Sequence, residues 1–235
     1  MITFTGRGIL LDVEGTTSSI KFVYEVLFPF ARAHLEDYLR QHWDELPAAQ
    51  ARAQIGRDAG KTFSADLASG LTPLCDEVLR LMDADAKATG LKELQGLIWQ
   101  QGYDAGLLTS HVYPDVPLAL QQWVKNGIDV RVYSSGSVGA QRVFFANTAA
   151  GDLRPYLRGH YDTTVGAKRD AESYRKIVAD MKLSADRVLF LSDVVGELDA
   201  AAAAGLRTAL VVRPDNPPVV APHAHPVVTD FGQIT

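Results

Sequence analysis

Cysteine is almost missing from this chain: Cys75 stands alone among 235 residues. No internal disulfide can form, and no Cys/His cluster points to structural zinc. The six histidines, His34, His42, His111, His160, His223 and His225, fall at no ligand or triad spacing. Positive charge is also short, with 23 Lys and Arg against 28 Asp and Glu, a net charge of -5 and a pI near 5.7. That balance gives no basic footprint for nucleic acid. It leaves room for a small anionic substrate, because a bound divalent cation reverses the local field inside an acidic protein. No apolar run approaches the roughly 20 residues a bilayer span needs, and no charged-then-apolar leader pattern opens the sequence. A soluble, cytoplasmic monomer that engages neither membrane nor nucleic acid is the expectation.

What is present is apolar residue in quantity. Hydrophobic residues make up 47% of the chain and charged residues 22%, enough for one large domain or for a core with a smaller one inserted. Ile9–Val13 reads as a strand. From Ser19 the period changes: Phe22, Val26, Phe30, Leu35, Tyr38 and Leu39 recur at helical spacing, and Pro29 bends or restarts the helix. A weaker helix follows over Ala48–Gly60, Ser69–Pro73 reads as a breaker, Leu74–Met82 as a helix, and Gly90 as a separator before the helix Leu91–Gln101. Residues 18–110 thus form an all-helical insertion between two parts of an α/β core, residues 1–17 and 111–235.

Strand and helix then alternate. Helices are expected at Pro117–Asn126, Val138–Phe145, Ser173–Met181 and Glu197–Ala204, with strands at Ile128–Tyr133, Gly159–Thr164, Val188–Ser192 and Thr208–Val212. Pro214–Pro226, with five prolines, is loop, and Val227–Val228 adds a last short strand. Such alternation implies a parallel sheet with helices on both faces, whose ligands bind beyond the carboxyl ends of the strands. Three strands here end in polar groups: Asp12 with Glu14, Ser134 with Ser135, and Asp193. In an extended strand Asp12 and Glu14 share a face. Taken alone, the two acids either cap a following helix or hold a cation and do chemistry.

Asp12–Val13–Glu14–Gly15–Thr16, then Ser134–Ser135, then Lys168, then Ser192–Asp193 with Glu197 a turn later, resembles the four-motif signature of haloacid dehalogenase-like phosphatases. Leu10–Thr17, Val132–Ser137 and Glu172–Ile177 are similar, more narrowly, to the enolase-phosphatases of methionine salvage. The likeness runs from Ile9 to about Asn216. It implies a haloacid dehalogenase-like core with a helical cap, magnesium as cofactor, and a small phosphorylated metabolite as substrate. It further implies Asp12 as nucleophile and Glu14 as general acid and base. The magnesium would be held by Asp12, by position 14 through side chain or backbone, and by Asp193. An oxygen-only ligand set suits that ion. Ser134, Ser135 and Lys168 would bind the phosphoryl group, and Glu197 would orient a metal-bound water or sit exposed at a helix start. Arg169 is assigned to the surface. Two alternatives stay open: a phosphatase of the same superfamily acting on another metabolite, and a non-enzymatic phospho-acceptor module.

Overall fold

The short apolar runs assemble, in the computed structural model, into a six-stranded parallel sheet; residues 1–219 and 222–235 are described. The chain divides into two compact units, Met1–Val23 with Thr109–Thr235, and Tyr24–Leu108. The first holds the strands β1 (Gly8–Leu11), β2 (Asp129–Tyr133), β3 (Gly159–Tyr161), β4 (Val188–Ser192), β5 (Arg207–Val211) and β6 (Val227–Val228), in the order β3-β2-β1-β4-β5-β6. Strand β1 pairs with β2 on one side and β4 on the other, so the chain changes direction across it, the switch point where open α/β sheets bind ligands. Leu11 lies opposite both Val132 and Leu191. The next residues, Asp12, Tyr133 and Ser192, are therefore level with one another, one step short of Ser134 and Asp193.

The central strands are apolar throughout because both faces are covered. Leu10, Phe190 and Leu210 pack with residues from two helices of this unit, while Ile9, Leu11, Leu189 and Leu191, pointing the opposite way, are equally buried. Strand β1 is shorter than the expected Ile9–Val13. It ends at Leu11, and Asp12 adds one further ladder bond, its N–H donating to the Leu191 carbonyl at 3.0 Å.

The second unit is all helix: α1 (Phe28–His42), α2 (Leu46–Ala59), α3 (Leu67–Asp83) and α4 (Thr89–Asp104) surround Leu35, Leu39, Ile55, Leu74, Val78, Leu94 and Ile98. A π-helical segment, Phe22–Leu27, leads into α1. Pro29 accounts for it: with no N–H it cannot bond the Glu25 carbonyl, and the register slips before α1 resumes.

Two expected interruptions do not occur. Ser69–Pro73 lies inside α3, whose start is capped by Asp66 accepting the Ser69 N–H at 3.1 Å. Gly70 is there for packing, since a Cβ would sit 2.7 Å from the Trp43 ring and 2.6 Å from the Ser64 carbonyl. An internal proline costs about 3 kcal/mol. Burial of Leu71, Leu74, Val78 and Leu81 on one face, at about 2 kcal/mol each, outweighs it. Gly90 likewise belongs to α4, where a Cβ would collide with the Ile55 main chain at 2.4 Å, and its N–H donates to Asp58 at 2.8 Å.

In the sheet unit α5 (Asp115–Lys125), α6 (Val138–Ala146), α7 (Ala171–Met181) and α8 (Val195–Ala203) complete the core. Residues 220 and 221 of the proline-rich stretch lie outside the described residues; the rest of Pro214–Pro226 carries no helix or strand.

Candidate active site

Beyond Asp12 the chain folds into a tight turn. The Val13 carbonyl accepts the N–H groups of Thr16, Thr17 and Ser18 at 3.2, 3.0 and 2.9 Å, and the Gly15 N–H donates to the Ser18 carbonyl at 2.8 Å. Gly15 has φ +72°, and a Cβ on it would fall 2.2 Å from Asp193 Oδ2. Only glycine lets the turn lie this close to the second acid.

Asp12 is buried and held from three directions. Its Oδ1 accepts the Val13 N–H at 2.7 Å and the Lys168 ammonium at 2.7 Å, and its Oδ2 accepts the Ser192 hydroxyl at 3.2 Å. Lys168, also buried, reaches Glu197 Oε2 at 2.7 Å, and Glu197 accepts from Ser192 at 3.0 Å. Glu197 is therefore part of the charge cluster and not an exposed helix-start acid. The sequence spacing placed it near the site, but its ion pair crosses 29 residues of chain and leaves no local pattern. Glu14 accepts from the Ser134 hydroxyl at 3.1 Å.

The electrostatics follow from four carboxyl groups and one lysine drawn together, Asp12 and Lys168 buried and Glu14, Asp193 and Glu197 partly so. Burial, then the charge of Asp12, raises Glu14 above the ordinary carboxylate range, with Lys168 and the Ser134 hydroxyl pulling the other way. Asp193 is pushed up to about 7 by burial and by Asp12, and Glu197 to about 7 by the same two causes. Burial works against the charge on Lys168, yet Asp12 and Glu197 outweigh it and hold the ammonium on.

Ser134 and Ser135 are separated by the structure. Ser134 is buried against Glu14, and its Oγ accepts the Gly136 N–H at 3.3 Å; Ser135 is exposed. Neither caps α6. That task falls to Ser137, whose Oγ accepts the Ala140 N–H at 3.2 Å. Arg169 is exposed, as expected.

Among the described residues no three His, Cys, Asp or Glu side chains group to cage a metal by themselves. The donor chemistry still fits a hard cation. Asp193 sits against Gly15 and is destabilised by Asp12, so a divalent charge there would relieve the repulsion. The carboxylates of Asp12 and Asp193, completed by water and phosphate oxygens, are the kind of oxygen donors magnesium takes.

Residues missed from the sequence surround this turn: Arg213 donates Nε–H to the Thr16 carbonyl at 2.9 Å, and Asn216 donates from Nδ2 to the Gly15 carbonyl at 2.9 Å.

A family model described as haloacid dehalogenase-like hydrolase matches residues 7–205. The chain is 47% identical to a protein named enolase-phosphatase E1 from Pseudomonas syringae pv. tomato over 93% of each chain. It is 46% identical to a protein of the same name from Alcanivorax borkumensis over 97% of each. Among solved structures, the UTR4 protein of Saccharomyces cerevisiae superposes with a TM-score of 0.80 at 33% identity, covering 97% of this chain and 99% of that one. The strand-end acids, the buried lysine and these likenesses agree: the chain belongs to the haloacid dehalogenase-like hydrolases, and within them to the enolase-phosphatase E1 family.

Proposed function

We propose that the protein is a magnesium-dependent enolase-phosphatase. Its substrate in this reading is 5-methylthio-2,3-dioxopentyl phosphate, converted to 1,2-dihydroxy-5-(methylthio)pent-1-en-3-one and phosphate in methionine salvage. The observation that carries the reading is the pairing of a buried acid, Asp12, with a half-buried one, Glu14, in opposite surroundings. Asp12 is ion-paired to Lys168 and accepts three hydrogen-bond or ionic contacts, so its carboxylate is oriented. Glu14, two residues on, is raised by burial and by Asp12, which suits a group that must arrive protonated.

A carboxylate oxygen of Asp12 attacks phosphorus; the bond to the ester oxygen breaks, and that oxygen takes the proton of Glu14. Glu14, now ionised, removes a proton from water as the water oxygen attacks the aspartyl-phosphate. The Asp12–phosphorus bond breaks, phosphate leaves, and both acids return to their starting states. Lys168 offsets the charge that accumulates on Asp12 and the transferring group. Ser134 and Ser135 bind the phosphoryl oxygens, Ser134 also fixing Glu14. For the enolase half, Glu14 is the group that would move a proton from carbon toward oxygen. When bound, magnesium would be held by Asp12, Asp193 and position 14 and would supply positive charge to offset that of the phosphoryl group. In this reading residues 18–110 are the helical cap domain and residues 1–17 and 111–235 the catalytic core.

The test is phosphate release from the diketo phosphate and from a panel of sugar phosphates, with magnesium and with a chelator. Preferred turnover of the diketo phosphate, lost on chelation and in Asp12→Asn, is expected. Equal or better turnover of another phosphate would assign a different substrate. Turnover surviving chelation, or substantial release by Asp12→Asn, would overturn the mechanism.

A further inference from the structure

The loop after β5 touches the catalytic turn at two places and the segment just after it at two more, through residues that lie outside the motifs that carry the chemistry. Asn216 donates from Nδ2 to the Gly15 carbonyl at 2.9 Å and to the Val211 carbonyl, the end of β5, at 3.3 Å. Arg213 donates to the carbonyl of the very next residue, Thr16, at 2.9 Å. Asp215 accepts the Ser19 hydroxyl at 2.8 Å and pairs with Lys21 at 2.8 Å. Two successive turn carbonyls, Gly15 and Thr16, are thus tied to one loop.

That loop is itself anchored. The buried Arg213 guanidinium forks onto Asp115 with two bonds of 3.0 Å and donates to the Thr229 carbonyl at 3.2 Å. It lies between the Tyr113 and Phe231 rings, 4.4 and 4.7 Å from their centres. Asp115 also accepts the Phe231 N–H at 2.8 Å. A bidentate, ring-sandwiched arginine is fixed in direction, so it passes rigidity from α5 and the sheet to the loop.

Asn216 is the member whose chemistry is most specific. Two carbonyls against one side-chain atom assign that atom as the amide nitrogen, because a carboxylate or amide oxygen there would face two acceptors. The opposite atom, Oδ1, is buried without a protein partner. The amide is therefore retained for its donor end. What it holds is the carbonyl of the glycine whose approach to Asp193 sets the gap between the two halves of the site.

We propose that Asn216 is a positioning residue: by donating to the Gly15 and Val211 carbonyls it locks the catalytic turn to the end of β5 and so fixes Glu14 and Gly15 against Asp193. Arg213 holds the neighbouring carbonyl in the same way. The kinetic consequence rests on the proposed phosphatase reading; the structural claim does not.

Two variants separate donation from packing. Asn216→Ala removes the donor and leaves space; Asn216→Asp keeps the shape and turns a donor toward two carbonyls into an acceptor. Amide hydrogen exchange followed by mass spectrometry would monitor a peptide spanning residues 13–18 and, as control, one from β4. Loss of protection of at least about tenfold in the turn, with β4 unchanged, is expected in both, and more in Asn216→Asp. Turnover of an aryl phosphate should fall about 10–100-fold in kcat with KM within about threefold, again worse for Asp than for Ala. Unchanged turn protection in both variants would overturn the proposal, as would Asp retaining wild-type protection while Ala loses it, the order expected of a packing role. If the wild type released no phosphate from any ester, the functional reading would fail while the exchange result still decided this one.

Discussion

Replacing Gly15 by alanine tests the closest contact in the site. Two separate costs are built in. At φ +72° an L-residue adopts the left-handed region at about 1–2 kcal/mol. The new methyl would also lie 2.2 Å from Asp193 Oδ2 and 2.6 Å from its Cγ, where about 3.4 Å is needed, so the turn and Asp193 must part by roughly 1 Å. Because Asp193 is only partly covered, it yields by rotating and the second cost appears mainly in function. A displacement of about 1 Å at a reacting centre costs about 100-fold in rate. Gly15→Ala is therefore expected to lower stability in urea by about 1–3 kcal/mol and kcat by about 100-fold. A thermodynamic cycle isolates the contact: in an Asp193→Ala background the same substitution should cost only the backbone share, leaving about 1 kcal/mol of interaction between the sites. Urea titrations of the four proteins supply the stabilities, and phosphate release supplies the rates of the first pair. An unchanged kcat in Gly15→Ala, or costs that add without interaction in the cycle, would refute the argument that this glycine exists to admit Asp193.

Glu14→Gln should slow release of a poor alkoxide leaving group by about 100-fold or more and of an activated aryl oxide far less; a series of esters of graded leaving-group acidity measures it, and equal losses would remove Glu14 as the acid. Asp193, raised to about 7, binds its proton more tightly folded than unfolded, so its contribution to metal-free stability is present below about pH 4 and is lost as pH rises through 7. Magnesium should then raise the melting temperature more at pH 8 than at pH 5, and a shift independent of pH would contradict the charge assignment. Glu77, buried between Lys61 and Arg80, is lowered to about 2 by hydrogen bonds first from Arg80 and then from Lys61. Its stabilisation is complete above about pH 4.3 and fades as pH falls toward 2. Both cations are more than half exposed, so Glu77→Gln should cost about 1–2 kcal/mol at pH 7 and nothing near pH 2, read by denaturant titration at the two pH values.

The parts of the fold that could be read beforehand are those written in consecutive residues. The apolar runs of β1 and β4 announce strands covered on both faces, and the acids and serines directly after them announce the sheet's ligand end. Asp12, Glu14, Ser134 and Asp193 are brought together because parallel strands in register carry their ends to one edge, and Lys168 reaches them from the loop after β3. What could not be read depends on partners far away in sequence. Asn216 meets Gly15 across 201 positions, and Arg213 meets Asp115 across 98. No periodicity encodes either. Gly70, Pro73 and Gly90 mislead for a related reason: a glycine admitting a neighbouring helix and a glycine ending its own are the same letter. The end of β1 at Leu11 was hidden likewise, since the turn depends on the Val13 carbonyl gathering three N–H groups.

The pattern of burial argues that this end of the sheet is organised for a reaction at the expense of stability. A core assembled for stability alone would not bring Asp12, Glu14, Asp193 and Glu197 around a single lysine, because the charge of Asp12 raises the other three. The neutral members of the set show how the repulsion is contained. Ser192 bridges Asp12 and Glu197, Ser134 engages Glu14, and the Val13 N–H engages Asp12, so dipoles do the work that further cations would do. A second lysine in place of Ser192 would balance the charge and hold Asp12 in a tight ion pair, but it would also compete with the phosphoryl group for that carboxylate. With one lysine against four carboxyl groups the cluster is left short of positive charge, and in the proposed mechanism that shortfall keeps Asp12 free to attack. The same deficit that raises Asp193 and Glu197 is what, in that mechanism, would make the site receptive to a divalent ion and a phosphoryl group together.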